Sequence, residues 1–248
     1  MLRLAVTTRA ETFDRVRDPL ADRDIAVTHL PAEGRTIDLS APPDDRFDAG
    51  FVFPSRTQAG AALSALYAIP WVNGRETVLT SRNKGGVLAA LGAAGLPVPE
   101  TTMVSSPVNA EAVADAAAAL SWPVVVKPNS TTRGTGVTKA TDLDSLLGVI
   151  DYLDLVHDYR ATGDKTFLLQ EYLPDARDYR VMVVDGTYAG AVERHLPADD
   201  RAAGRWKHNV HRGAEATGVD LDPDLRRLAE RTAPRRSTCR TSTTDWPG

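Results

Sequence analysis

Apolar residues come in short blocks, and their spacing changes along the chain. Residues 2–7 and 25–30 are apolar runs of strand length, and residues 12–22 between them carry helical spacing. Strand, helix and strand in succession predict a small parallel sheet. Residues 31–46 are polar and proline-bearing, so a loop follows. Residues 47–53 predict a further strand, with Pro54, Ser55 and Arg56 at its carboxyl end, the edge at which open α/β sheets bind ligands. Residues 57–67 are an alanine-rich helix, and Val72, Asn73 and Gly74 read as a turn. Residues 75–82 and 84–94 predict two helices, the second ended by Gly95. The run Leu96, Pro97, Val98, Pro99 stops helix and forces an extended entry into a strand at 101–104. Prolines flank this stretch and the pattern restarts after it, which predicts a domain boundary.

The second half opens with a helix at 110–120, on propensity alone. Residues 122–137, WPVVVKPNSTTRGTGV, hold an apolar run, Val124 to Val126, that ends on Lys127. Consecutive β-branched residues read as a buried strand. The loop after it carries Arg133, Gly134 and Gly136 and has nothing apolar to bury. Glycines let backbone N–H groups approach an anion, and a lysine at the strand end supplies charge. The stretch therefore predicts a phosphate site; a plain hairpin with a solvated lysine is the alternative. A helix at 142–152, capped by Thr141 or Asp142, comes next. Residues 166–172, TFLLQEY, are a strand carrying Gln170 and Glu171 near its end, and Pro174 and Asp175 turn the chain. Strands at 179–184 and 187–194 flank Asp185-Gly186, a strong hairpin signal. A polar loop is expected at 196–204. WKHNVHRG at 206–213 crowds a lysine, an asparagine, two histidines and an arginine into eight positions, and a charged helix spans 222–232.

Composition narrows the class without naming it. With 248 residues, 42% hydrophobic and 25% charged, the chain is of soluble globular type, and no apolar run is long enough to span a bilayer. The start, MLRLAVTTRAET, lacks the apolar segment of a signal peptide. Cys239 is the one cysteine, which excludes an internal disulfide and a cysteine-based zinc site. A cytoplasmic protein without a membrane partner is the expectation. A net charge of −4 argues against bulk nucleic-acid binding but permits a local basic cleft. No G-x-G-x-x-G follows the first strand, and His195, His208 and His211 are too loosely spaced to predict a metal site.

Further polar residues join the lysine strand. Glu171 and Asp178 flank a turn, Arg180 and Arg194 lie on adjacent strands of one hairpin, and Asn209 and Arg212 sit in the WKHNVHRG segment. Converging arginines suit carboxylates and phosphates, which they grip through paired hydrogen bonds. Singly, each is more readily a solvated charge, Arg56 included. Jointly their order is lysine strand, glycine loop, Gln-Glu strand, Asp-x-Arg strand, Glu-Arg strand and Asn/Arg loop.

That order resembles the ATP-grasp superfamily, and most of all the RimK-type α-L-glutamate ligases, over about residues 47–233. The segments that carry the resemblance are TSRNKGGVLAALGAAGLPVPE, WPVVVKPNSTTRGTGV, LLQEYLPDARDYRVMVV, AVERH and RWKHNVHRGA. It implies an α/β and α+β protein with the ATP-grasp fold: an N-terminal Rossmann-like domain (1–78), a linker helix (79–100), a lid subdomain (101–168) and an incomplete C-terminal subdomain (169–248). ATP would lie between the last two. Lys84 and Lys127 would contact the α- and β-phosphates, and Lys207 is a further basic residue near them. The loop with Arg133, Gly134 and Gly136 would close on the γ-phosphate. Gln170, Glu171, Tyr172 and Leu173 would hold adenine, and Asp178 the ribose region. Arg180, Arg194, Asn209 and Arg212 would hold the acceptor carboxylate and the acyl-phosphate oxygens, with Arg56 as a further substrate contact.

The implied reaction joins an amine to a carboxylate through an acyl phosphate, at the expense of ATP. Glutamate or a similar amino acid would be added to an acceptor carboxylate on a protein C-terminus, a carrier protein or a cofactor. The implied cofactors are ATP and Mg2+ or Mn2+, and the resembling enzymes are often dimers or tetramers. In the family, the helix resembling 222–232 leads into strands bearing an aspartate and a Glu-x-Asn, which hold magnesium. Here the chain leaves that pattern at about Ala233 and continues PRRSTCRTSTTDWPG. Asp220, Asp222, Asp224 and Asp245 lack the right context, so no metal ligand is assigned. A frameshift after Ala233 would account for the departure, and a genuine short tail is the alternative. Either way the expectation is little or no turnover, and a nucleotide-binding protein without turnover stands as the second reading.

Overall fold

The computed structural model describes residues 1–8, 11–40, 45–54, 56–131, 134–156, 165–210 and 213–233. Arg133, Arg212, His211 and the tail after Ala233 lie outside the described residues. The chain forms two compact units, residues 1–83 and 84–248.

The first unit contains β1 (Leu2–Val6), α1 (Glu11–Ala21), β2 (Ile25–His29), β3 (Ala49–Phe51), α2 (Thr57–Tyr67), β4 (Trp71–Val72) and α3 (Arg75–Arg82). Its sheet is parallel throughout, in the order β2-β1-β3-β4. Ala5, Leu30, Phe47, Phe53, Leu63, Tyr67 and Trp71 form the core. The strand expected over 47–53 is only three residues long, and Phe47 and Phe53 enter the core from its flanks. The expected turn at 72–74 begins with a strand instead, since Trp71 and Val72 pair with Gly50 and Phe51. Gly50 is required there: a Cβ would collide with the Trp71 indole that lies against it.

The second unit contains α4 (Lys84–Ala93), β5 (Thr101–Ser105), α5 (Ala110–Ala118), β6 (Val124–Pro128), β7 (Thr138–Ala140), α6 (Leu143–Val156) and β8 (Thr166–Glu171). After these come β9 (Asp178–Val184), β10 (Thr187–His195), α7 (Ala198–Ala202), β11 (Glu215–Val219) and α8 (Pro223–Thr232). Two antiparallel sheets result, β5-β8-β6-β7 and β11-β10-β9. β7 and β11 were not anticipated: TKA and EATGV are too short and too polar to carry a period of two. α7 replaces part of the polar loop expected at 196–204.

The period of two along a strand sorts the first of these sheets into two faces. Val104, Val124, Val126, Phe167 and Leu169 point one way and pack with Val113 and Ala117 of α5 and with Leu146, Ile150 and Leu153 of α6. Pairing of Val125 with Gln170 and Lys139, and of Gln170 with Thr101, puts those four residues on the opposite face, with Lys127 two residues along β6. The helices are set by local caps. Asn109 accepts from the Ala112 N–H, Asp142 from the Ser145 N–H, and Asp222 from the Asp224 and Leu225 N–H groups.

Candidate functional site

The face of the sheet opposite α5 and α6 lines a cleft of about 720 Å³ in the second unit. Ten of the sequence-predicted site residues line it: Lys84, Lys127, Gly134, Gln170, Glu171, Tyr172, Leu173, Asp178, Lys207 and Asn209. They come from α4, from both sheets and from the segment after α7. Gly136, Arg180 and Arg194 are not among the lining residues, and Arg56 belongs to the first unit, where it pairs with Glu33 at 3.0 Å.

Lys127 is delivered by β6. Its Nζ donates to Gln170 Oε1, and Gln170, only 6% exposed, donates from Nε2 to Thr101 Oγ1 at 2.7 Å. Burial holds the Lys127 ammonium below the ordinary lysine range, because the charged form has given up much of its water. An incoming anion would replace that lost solvation.

Two more lysines secure the loop that follows β6. Lys84 Nζ donates to the carbonyls of Pro128 (3.2 Å), Asn129 (2.7 Å) and Thr131 (2.5 Å). The buried Asn129 side chain accepts from the Gly85 N–H at 2.9 Å, which fastens the start of α4 to the end of β6. Lys207 Nζ donates to the Val137 carbonyl at the far end of the loop. Gly134 has φ +69° and lies so close to the 207–209 segment that a Cβ would sit 2.7 Å from Asn209 Oδ1. Gly136 has φ +73°, and a Cβ there would meet Pro128 Cγ at 2.7 Å. Both positions need glycine on backbone grounds, and Gly136 also because the Pro128 ring stands against it. Within this loop the Ser130 hydroxyl is buried without a hydrogen-bond partner among the described residues. A buried unpaired donor is costly, and an anion at the loop would offer it an acceptor.

Tyr172 and Trp206 meet edge to face at 5.8 Å, and the Lys139 ammonium lies over both rings, 4.4 Å and 5.1 Å from their centroids. The two rings, set at right angles, give the cleft an aromatic wall beside its cations.

The arginines are largely engaged. Arg194 and Asp178, directly opposed across the β9–β10 hairpin, form a two-point ion pair with side chains 12% and 30% exposed. Arg177 grips Glu193 through two bonds of 2.7 and 2.8 Å, which lowers the Glu193 carboxyl below its ordinary range. Arg205 pairs with Asp200 at 2.5 Å. Arg177, Tyr179, Arg201, Arg205, Trp206 and His208 also line the cleft and were not assigned from sequence. Trp206 and His208 fall in the polar run already singled out, and Arg177 precedes Asp178; nothing in the local sequence marks Arg201 or Arg205.

The donor set fits ATP: three ammonium groups, a glycine loop and an aromatic wall share one cleft. It does not by itself fit magnesium. Among the described residues no three His, Cys, Asp or Glu side chains stand together as a metal site. Glu171 accepts from the Glu100 N–H at 2.9 Å, and Asp178 is held by Arg194.

A model of the RimK-like ATP-grasp domain matches residues 81–238. A probable alpha-L-glutamate ligase of Shewanella halifaxensis is 28% identical over 185 residues, which are 73% of this chain and 37% of that protein. The alpha-aminoadipate–LysW ligase LysX of Sulfurisphaera tokodaii is 30% identical over 161 residues, 64% of this chain and 52% of that protein. The chain thus spans between about a third and a half of the length of these relatives. The crystal structure of a RimK domain ATP-grasp protein from Sphaerobacter thermophilus superposes with a TM-score of 0.66 at 24% identity, over 92% of this chain and 80% of that one, a likeness of fold. The chain belongs to the RimK-like ATP-grasp family.

Proposed function

We propose that the cleft binds ATP and that the chain serves an ATP-dependent carboxylate–amine ligase. The observation that carries this reading is the convergence of Lys84, Lys127 and Lys207 around a glycine loop, with the Tyr172–Trp206 wall in the same cleft. Lys127 is the strongest phosphate ligand proposed, because its charge is half-buried and shares a neutral amide rather than a carboxylate. Lys84 and Lys207 hold the loop's carbonyls and would bring the backbone N–H groups around Gly134 onto the terminal phosphate. Residues 170–173 would take the adenine through their backbone, beside Tyr172.

In the reaction proposed, a carboxylate oxygen attacks the terminal phosphorus and ADP leaves. An amine then attacks the carbonyl carbon of the acyl phosphate, and phosphate leaves with loss of a proton from nitrogen. Phosphoryl transfer depends on position and charge neutralisation, which the lysines and loop supply. No step is assigned to a metal. Arg180, Arg194 and Asn209 remain the proposed acceptor-side residues, with glutamate or a similar amino acid as the amine. The names of two relatives, an alpha-L-glutamate ligase and an alpha-aminoadipate–LysW ligase, are consistent with ligation of an amino acid. ADP release from the purified chain, screened with amino acids against candidate carboxylate acceptors, tests the reading. Release that needs both substrates supports it. Nucleotide binding without such release leaves the second reading, a nucleotide-binding member without turnover.

A further inference from the structure

One polar chain runs from the cleft wall back into the sheet. Thr101 Oγ1 donates its one proton to the Pro99 carbonyl at 2.9 Å, so toward Gln170 it can only accept. Gln170 must therefore turn its NH2 to Thr101, as the 2.7 Å bond requires. That leaves the amide oxygen for Lys127, which can only donate. Each link fixes the polarity of the next, from the Pro99 carbonyl to the ammonium. Gln170 is 6% exposed, so its amide has little water to turn to if a partner is lost. Thr101 sits on β5, an edge strand of this sheet, and Gln170 is its registered partner on β8.

We propose that Thr101 and the Gln170 side chain are positioning residues for Lys127: Thr101 holds the amide in the one orientation that presents an acceptor to the ammonium. This deepens the nucleotide reading above and rests on it for its functional consequence, although the geometry can be tested without nucleotide. Without the Thr101 oxygen, the buried Gln170 NH2 is unpaired and the side chain seeks another rotamer. Lys127 then loses its acceptor, shifts toward the neutral amine and moves more freely. The affinity for a polyphosphate falls, and that for adenosine does not.

The test is a cycle of variants of the full chain: Thr101→Val, Thr101→Ser, Gln170→Met and the double variant Thr101→Val with Gln170→Met. Brief acylation of the ligand-free chain with limiting acetic anhydride, read by peptide mass spectrometry, reports the reactivity of Lys127, with Lys165 as control. Thr101→Val and Gln170→Met should each raise Lys127 acylation severalfold, Thr101→Ser should match wild type, and the double variant should equal Gln170→Met alone. Lys165 should not change. Titration with a non-hydrolysable ATP analogue should show about tenfold weaker binding in Thr101→Val, with adenosine affinity unaltered. Wild-type reactivity in Thr101→Val would overturn the proposal. So would a Thr101→Val effect that persists in the Gln170→Met background, failure of serine to restore, or equal change at Lys165. If wild type itself binds no analogue, the nucleotide reading fails while the acylation cycle still decides the positioning role.

Discussion

At the scale of single residues, Lys127 sets the proposed phosphate binding against stability. Its ammonium is half-buried with an amide for company, and burial lowers its affinity for a proton. A lysine whose folded pKa lies below its unfolded one contributes stability above the unfolded pKa and loses it as pH falls through the folded value. At neutral pH, therefore, the charge opposes folding. Lys127→Met combined with Gln170→Met, which removes the charge without leaving the buried amide oxygen unpaired, is expected to raise the melting temperature of the ligand-free chain by about 2–4 °C, the shift that about 1 kcal/mol gives a domain of this size. The same variant should abolish the rise in melting temperature caused by an ATP analogue. A variant that melts at or below the wild-type temperature without ligand would contradict this account of the site. The lysine was legible in sequence because an apolar run ends on it before a glycine loop. Thr101 and Asn129 were not, since a single threonine or asparagine has no pattern; their roles appear only when strands far apart in sequence are paired.

At the scale of elements, the β9–β10 hairpin shows what sequence can and cannot carry. Asp185-Gly186 predicts the two-residue turn, and both residues do adopt positive φ, 49° and 75°. The turn alone would place Asp178 opposite Glu193, and an irregularity between Tyr188 and Gly190 shifts the pairing by one residue and brings Arg194 there instead. The resemblance assigned Arg194, with Arg180, Asn209 and Arg212, to the acceptor carboxylate and the acyl-phosphate oxygens. In the structure its guanidinium is committed to Asp178, so the two residues act together. Removing one partner leaves the other part-buried and unpaired. Arg194→Ala should therefore lower stability by about 2 kcal/mol in chemical denaturation, with Arg194→Lys recovering part of the loss. An unchanged midpoint in Arg194→Ala would mean that the pair contributes nothing to the hairpin. β7 and β11 escaped the sequence because edge strands of three to five mostly polar residues have no hydrophobic face to betray them.

At the scale of the whole molecule, the two units have separate electrostatic holds. In the first unit, Arg3 binds Asp48 through its backbone N–H and its guanidinium, at 2.7 to 3.2 Å, and these bonds lower the Asp48 pKa to about 2. A carboxyl depressed in the folded state contributes stability above its unfolded pKa and loses it as pH falls to the folded value. Amide exchange at the buried β1 residues Ala5 and Val6 should accelerate as pH drops from about 4 toward 2, relative to the intrinsic rate. In Asp48→Asn that acid-dependent acceleration should be much reduced, and an identical profile in the variant would exclude this pair as its source. The parallel order of the first sheet was legible from alternating strand and helix. The sequence expectation ends the first domain at 78 and runs a linker to 100, whereas the structure divides the chain into units 1–83 and 84–248.

The nucleotide site proposed for the cleft in the second unit is built around Lys127. Hydrogen exchange of the full chain, with and without a saturating non-hydrolysable ATP analogue, tests it most directly. A nucleotide in the cleft should slow exchange over 127–131, 134–137, 170–173 and 205–209, with no change in β1 to β4, and that protection should be lost in Lys127→Ala. Undiminished exchange in those segments, or protection that falls on the first unit instead, would contradict it.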